Sequence, residues 1–388
     1  MTGAVITAWS AISACGIGAA AHRAVYGDPA RRPPPTPVGD PVPGEAHVAA
    51  DFDVTEALGP KGTSSMDRCS GLAVAVAAEP LTAGQRPQGH FGCIQRNQSA
   101  PGGIAPRSVT GVVLGTTSGS AQTQLDFTRE SLTRPKPYRV NPALMPFALM
   151  NSAAGQTAIW HGLTGPNTTI AGGRMSGLST LRYGARLLAA GRADAVLCGA
   201  VEEYGPARQW LADQRTPAAA GRRPLGEGGA VLLLEPAADD PFAASGDDAH
   251  HRDAHHQDAN RHDASGAGGR TPLAELLGVD TRVDVDDDPA AALDACIRRT
   301  LDRAGLTGGD VGAVAVSGPP GPLAGAERDA VARTAARADV RDPGEILGDT
   351  GAAAGPFQVT LLLDRPGVAL VTAVDEDGTV GCGLLRVY

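Results

Sequence analysis

Lysine is nearly absent from this chain: Lys61 and Lys136 are the only two, against many arginines. With heavy use of alanine, glycine and proline, this is the coding bias of a GC-rich genome and says little about mechanism. A basic excess is also missing. The net charge is −9, which argues against nucleic acid or an anionic membrane surface as a partner. No apolar run reaches membrane-spanning length, and the N-terminus lacks a basic, leader-like start, so the expected location is cytoplasmic. Cysteine pairs are missing as well. Cys15, Cys69, Cys93, Cys198, Cys296 and Cys382 are scattered without a CxxC or metal-ligand spacing, which predicts free thiols. Neither a metal nor a cofactor is expected.

The 388 residues are enough for a large core in two structural halves. Ala4 opens a β-like run that ends in small residues. Asp67 to Ala78 reads as a small, apolar helix, and residues 79–108 read as a Gln/Pro/Gly-rich loop. Gly111–Ser120 reads as a buried strand entering a Gly/Ser turn, followed by an amphipathic helix, AQTQLDFTRESL. Helical spacing of apolar residues continues from Val140 towards Pro166. Residues 178–190 form a helix stopped at Gly191, and Ala195–Cys198 a short buried strand. Leu225–Glu235 is a glycine-rich turn feeding another strand. Gly226, Gly228 and Gly229 are not a phosphate loop, since no Lys-Ser/Thr pair follows.

Residues 237–270 break this pattern. They mix Asp, Ala and Gly with His250, His251, His255, His256 and His262, and no periodic apolar face accompanies them. Zinc or nickel binding is one reading; a disordered insertion is the preferred one. A helix over Ala291–Leu306, a strand over Val311–Gly318, a helix in AERDAVARTAARA and strands from Pro366 to Tyr388 complete a second half. The alternation predicts an α/β class with both sheet faces covered. The expected division is 1–236, the insertion 237–270, and 271–388.

Gly165 to Glu202 reads GPNTTIAGGRMSGLSTLRYGARLLAAGRADAVLCGAVE. It resembles the nucleophile region of β-ketoacyl synthases. GEGGAVLLLE resembles that family's Gly-Glu-Gly-Ala strand, and MPFALMNSAAGQTAIWHGLTGP its interface and pre-nucleophile region. The resemblance implies a thiolase-like fold: two related α/β halves in a layered α/β/α/β/α core. It also implies a catalytic cysteine, two histidines and a lysine.

This chain departs at all four positions. Arg174 stands where the cysteine is expected, and a guanidinium is not an acyl acceptor. Ser317 and Asp349 stand at the histidine positions, and Gly344 at the lysine. The C-terminal Gly-Phe-Gly-Gly segment is replaced near DEDGTVG. Ser176 is the alternative nucleophile, for a divergent acyl-ACP transferase or decarboxylase, but it lacks an evident base.

Non-catalytic relatives of this kind are chain length factors. The resemblance therefore implies a subunit without its own catalysis, paired as a heterodimer with an active ketosynthase and serving its acyl carrier protein and acyl chain. Ala121, Gln124, Leu125 and Thr128 match positions lining the growing-chain tunnel, at a spacing that puts them on one helix face. His161 opens the His-Gly-Leu-Thr-Gly-Pro run seen before the lost nucleophile. Val140 to Trp160 is the expected partner surface. Cys198 is read as a buried structural thiol. Glu202 and Glu203 are read as a solvated turn or as hydrogen-bonded to a neighbouring strand, and Asp349 as structural or idle.

Overall fold

The structure is a computed structural model, and it describes residues 3–39, 44–82, 109–215, 222–237 and 270–388. Ten strands carry the architecture: β1 (Ala4–Ser13), β2 (Thr110–Thr116), β3 (Asn167–Ala171), β4 (Ala195–Glu202), β5 (Gly228–Pro236), β6 (Ala274–Val283), β7 (Val311–Ala315), β8 (Asp339–Arg341), β9 (Gly367–Val374) and β10 (Thr379–Val387). Their spatial order is β8-β7-β9-β10-β6-β1-β5-β4-β2-β3.

The order repeats about the antiparallel β1/β6 seam. Going outward from either central strand, the next two pairings are antiparallel and the last two are parallel. Each strand in the first half thus has its counterpart five strands later in the second. This is the thiolase-like arrangement of two related α/β halves.

The helices that matter here are α1 (Arg68–Thr82), α2 (Ala121–Thr133), α3 (Ser152–His161), α4 (Ser176–Ala189), α5 (Pro206–Arg215), α6 (Pro289–Ala304), α7 (Pro322–Thr334) and α8 (Ala354–Leu362). α1 and α3 cover the outer face of the first half, and α6 and α7 that of the second. α4 and α8 lie between the two halves of the sheet, contacting strands of both, and touch each other. This makes the layers α/β/α/β/α.

Burial explains the sequence of each element. Every residue of β4 is buried, as a strand covered on both faces requires. α4 turns Leu178, Leu181, Ala185 and Leu188 inward, with the three- and four-residue spacing of one helix face. α8 is buried on all sides. Its Gln358 is tolerated there because the side-chain amide donates to the carbonyls of Ala315 and Thr372, each at 2.7 Å.

α4 and α8 meet at their N-terminal ends. A Cβ on Gly177 would run into Pro356 and come within 2.9 Å of the Ala352 carbonyl. Only glycine lets the two helices approach so closely. Both helix starts are thereby held at one point in the middle layer.

Several element readings change. α1 continues through Pro80 to Thr82, so the loop expected from residue 79 begins later. The remainder of that loop lies outside the described residues, as does nearly all of the histidine-rich insertion at 237–270. The helical pattern from Val140 resolves into a 3-10 turn, Pro142–Ala148, and then α3, because Pro142 and Pro146 interrupt regular α-helical bonding. β4 extends four residues past Cys198, to Glu202.

Candidate functional site

The N-termini of α4 and α8 floor a cleft of about 510 Å³. Thr117, Ser118, Arg174, Arg208, Asp349 and Asp375 are among its lining residues. Arg174 sits in the 3-10 turn Gly173–Met175 that joins β3 to α4. Gly173 adopts φ 53°, in the left-handed region, and a Cβ there would collide with Asp375. Asp349 lies just before the 3-10 turn Gly351–Ala353 that opens α8.

These two residues, 175 positions apart, are bonded to each other: Arg174 Nη2 donates to Asp349 Oδ2 at 2.5 Å. Their side chains are 9% and 13% exposed, so this is a buried ion pair. Burial opposes the charge on Arg174, but the Asp349 carboxylate overrides that and raises its pKa above the ordinary arginine value. Asp349 is buried too, and Arg174 and Arg208 together hold its carboxyl below the usual carboxylate value. A partial positive charge gathers at the two helix N-termini, so a lone guanidinium would be unwelcome there; Asp349 offsets it.

The frame around the pair is fixed by further bonds. The Arg174 backbone N–H donates to Asp375 Oδ2 at 2.5 Å. Arg208 Nη2 donates to the Asp349 carbonyl at 3.0 Å, and Asp349 Oδ1 accepts from the Gly351 N–H at 3.0 Å. The Asp349 backbone also pairs with the loop before β5: its N–H donates to Pro224 O and its carbonyl accepts from Gly226 N, both at 2.8 Å. Of the two readings of Asp349, structural or idle, these bonds select the structural one. Neither Asp349's partner nor the part played by Asp375 had a local sequence signal; the DEDGTVG segment marked only where the family pattern stops.

The other substituted positions are engaged elsewhere. Ser317 is buried at the end of β7, and its hydroxyl donates to Glu327 Oε1 at 2.9 Å. Glu327 also accepts from the Ser317 and Gly318 N–H groups and the Thr372 hydroxyl. Gly344 lies against the Arg223–Asp342 ion pair, where a Cβ would meet Arg223. Ser176 is fully buried; its hydroxyl donates to the Thr116 carbonyl at 3.2 Å and accepts from the Gly172 N–H at 2.8 Å. Among the described residues no histidine hydrogen-bonds it: His22 contacts Ser13 and Gly18, and His161 contacts the Val74 carbonyl. The arrangement therefore holds charge and shape, without a thiolate or a base–nucleophile pair.

Cys198 is buried in β4, and burial raises its thiol pKa far above normal. Glu202 and Glu203 are not a solvated turn. Glu202 accepts from the Thr117 N–H at 2.5 Å, just past neighbouring β2, and has Arg208 at 3.8 Å. Glu203 accepts from Ser120 Oγ at 2.9 Å at the start of α2. Burial and the nearby Asp67 charge push Glu203 up to about 7.

The tunnel candidates are not themselves lining residues of the cleft, but Gln124 Nε2 donates to the carbonyl of Ser118, which is. Along α2, Ala121 is buried, Gln124 is half-buried, and Leu125 and Thr128 are exposed. α2 packs on the Pro142–Ala148 turn, that turn on α3, and α3 on β3. This continuous face exposes Leu125, Leu132, Tyr138, Met145, Leu149, Met150 and Ile159, with Tyr138 at 73% and Ile159 at 76%. It ends at β3, which among the described residues is an edge strand paired only with β2, and is only partly buried. Among the described residues no helix is long and apolar enough to cross a membrane, and no cluster of three or more His, Cys, Asp or Glu could hold a metal.

The β-ketoacyl synthase N-terminal domain matches residues 22–240, more than half of the chain, so the protein belongs to the β-ketoacyl synthase family. Among solved structures it is similar to the ishigamide ketosynthase/chain length factor, at 36% identity over 99% of each chain with a TM-score of 0.79. A β-ketoacyl synthase from Burkholderia phymatum STM815 shares the fold at 18% identity, over 99% of each chain with a TM-score of 0.75. Among curated proteins, the tetracenomycin polyketide synthase ketoacyl synthase alpha subunit of Streptomyces glaucescens is 29% identical over 223 residues, 50% of this chain and 49% of that protein. The 3-oxoacyl-(acyl-carrier-protein) synthase 2 of Vibrio harveyi is 25% identical over 207 residues, 49% of this chain and 46% of that protein. The chain thus spans about half the length of these curated relatives, or less.

Proposed function

We propose that this chain is a chain length factor: a ketosynthase-like subunit without its own condensing chemistry, paired with a catalytic β-ketoacyl-ACP synthase of a type II polyketide synthase. The observation that carries the reading is the Arg174–Asp349 pair. Two positions that would hold nucleophile and base instead neutralise each other, and a guanidinium locked to a carboxylate accepts no acyl group. The similarity to a solved ketosynthase/chain length factor over 99% of each chain supports the same reading.

The partner occupies the face from α2 to β3. Its exposed aromatic and aliphatic side chains and its open strand edge are features that a second, related subunit covers well. In the assembled pair, Ala121, Gln124, Leu125 and Thr128 border the channel in which the carrier-bound polyketide extends. The small side chain of Ala121 gives that channel room.

Co-expression with a catalytic ketosynthase of a type II polyketide synthase, followed by size-exclusion chromatography, tests the assembly. A one-to-one complex is expected. A stable homodimer that ignores the ketosynthase contradicts the proposal. Within an active complex, Ala121→Phe shortens the product; unchanged product length removes Ala121 from the channel wall.

A further inference from the structure

β3 is an edge strand of the sheet. Among the described residues it pairs on one side only, and its two end residues, Asn167 and Ala171, are exposed. Its start is tied down by Asn167 Nδ2, which donates to the Ala154 carbonyl at 2.9 Å. Its other end passes within three residues into Arg174. There the chain is held by the Gly172 N–H to Ser176 Oγ, the Arg174 N–H to Asp375, and the Arg174 side chain to Asp349. Asp375 and Asp349 both belong to the second half of the molecule. Asp349 is itself immobilised through its backbone by Pro224, Gly226 and Arg208.

We infer that the Arg174–Asp349 pair is a clamp that fixes the outer strand β3 against the second half, so that its free edge is presented in one docking position. The two residues are positioning residues. Their effect on the partner rests on the reading that β3 faces the catalytic subunit; their effect on β3 itself does not. The clamp ties a partly exposed edge strand to rigid structure where its chain enters the middle layer. It also gives the two substitutions a shared task, since each residue alone at the meeting point of α4 and α8 loses its directly bonded counter-ion.

The test is hydrogen exchange of the full chain, read on the peptide spanning residues 166–175 and compared with peptides from β1 and β10. The variants are Arg174→Met, Asp349→Asn and the neutral double Arg174→Met/Asp349→Leu. The double removes the clamp without leaving an unpaired charge, so it serves even where a single variant does not fold. The expected result is exchange in β3 faster by about ten-fold or more, with β1 and β10 in the double variant protected as in the parent. Normal protection of β3 in the double, or a loss spread evenly over β1, β3 and β10, overturns the clamp.

A second arm measures affinity for the catalytic ketosynthase. The double variant binds about ten-fold more weakly or worse; parental affinity despite a loosened β3 overturns its docking role. A parent chain that does not bind the ketosynthase at all overturns the partner reading, while the exchange data still decide the clamp.

Discussion

Two regions of this protein lie a few residues apart along the chain and are built in opposite ways. Around Arg174, charged groups meet partners within the chain: Arg174 with Asp349, Arg208 with three carbonyls and Glu202, and Ser317 with Glu327. From α2 to β3, large apolar side chains and a strand edge have no such internal match. The first is a site closed on itself; the second is a surface that needs something outside. In an active enzyme the reverse is expected near the chemistry, where a nucleophile is kept reactive and unsatisfied until substrate arrives. The difference supports the proposal that this chain acts through its surface.

The contrast is broken most directly at the ion pair. Asp349→Ala leaves Arg174 buried and unmatched, at a cost of about 3–5 kcal/mol in unfolding free energy, read by chemical denaturation. Arg174→Met/Asp349→Leu recovers most of that, since no uncompensated charge remains. The sign with pH follows from Asp349, whose carboxyl is held below its ordinary 3.8: its stabilisation is present above that value and lost as pH falls through the folded-state pKa. A single substitution costing under about 1 kcal/mol, the scale of an exposed pair, erases the contrast.

A smaller effect is expected on the surface, and of a different kind. Tyr138→Ala and Ile159→Asp leave the fold within about 0.5 kcal/mol, because the parent side chains are already in solvent. The same substitutions weaken assembly with the ketosynthase by about 2 kcal/mol, the scale of an interface hot spot, read by calorimetry. Variants that unfold the chain yet leave assembly intact invert the comparison.

A pH test sharpens it from inside. Glu203 is raised from 4.5 to about 7 by burial, so the native state holds its proton where the unfolded chain has released it. Stability therefore falls as pH rises from about 4.5 towards 7. Glu203→Gln flattens that slope and gains on the parent at pH 8 but not at pH 4, in thermal melts. A parallel slope in both proteins removes Glu203 as its source.

Much of this was legible in the sequence, for physical reasons. Strands buried on both faces write continuous apolar runs, which is why β4 and β5 could be read, and α4 writes its spacing plainly. The departure at Arg174 was legible because a guanidinium does not fit the acyl chemistry its surroundings resemble. What could not be read was the pairing. Arg174 and Asp349 meet only because Gly177 lets α4 and α8 touch, a contact between halves with no periodicity to announce it. Asp349 alone reads as structural or idle, with no partner to decide between them. For Glu202 and Glu203 a solvated turn and a structural hydrogen bond both stay open in the sequence; in the structure they are buried and buttress the start of α2 and the cleft.

The most direct test of the central claim is intact-mass analysis of the assembled pair after incubation with acyl-loaded carrier protein. The account predicts acyl adduct on the catalytic ketosynthase and an unmodified mass for this chain. An adduct on this chain, mapped to Ser176, contradicts it.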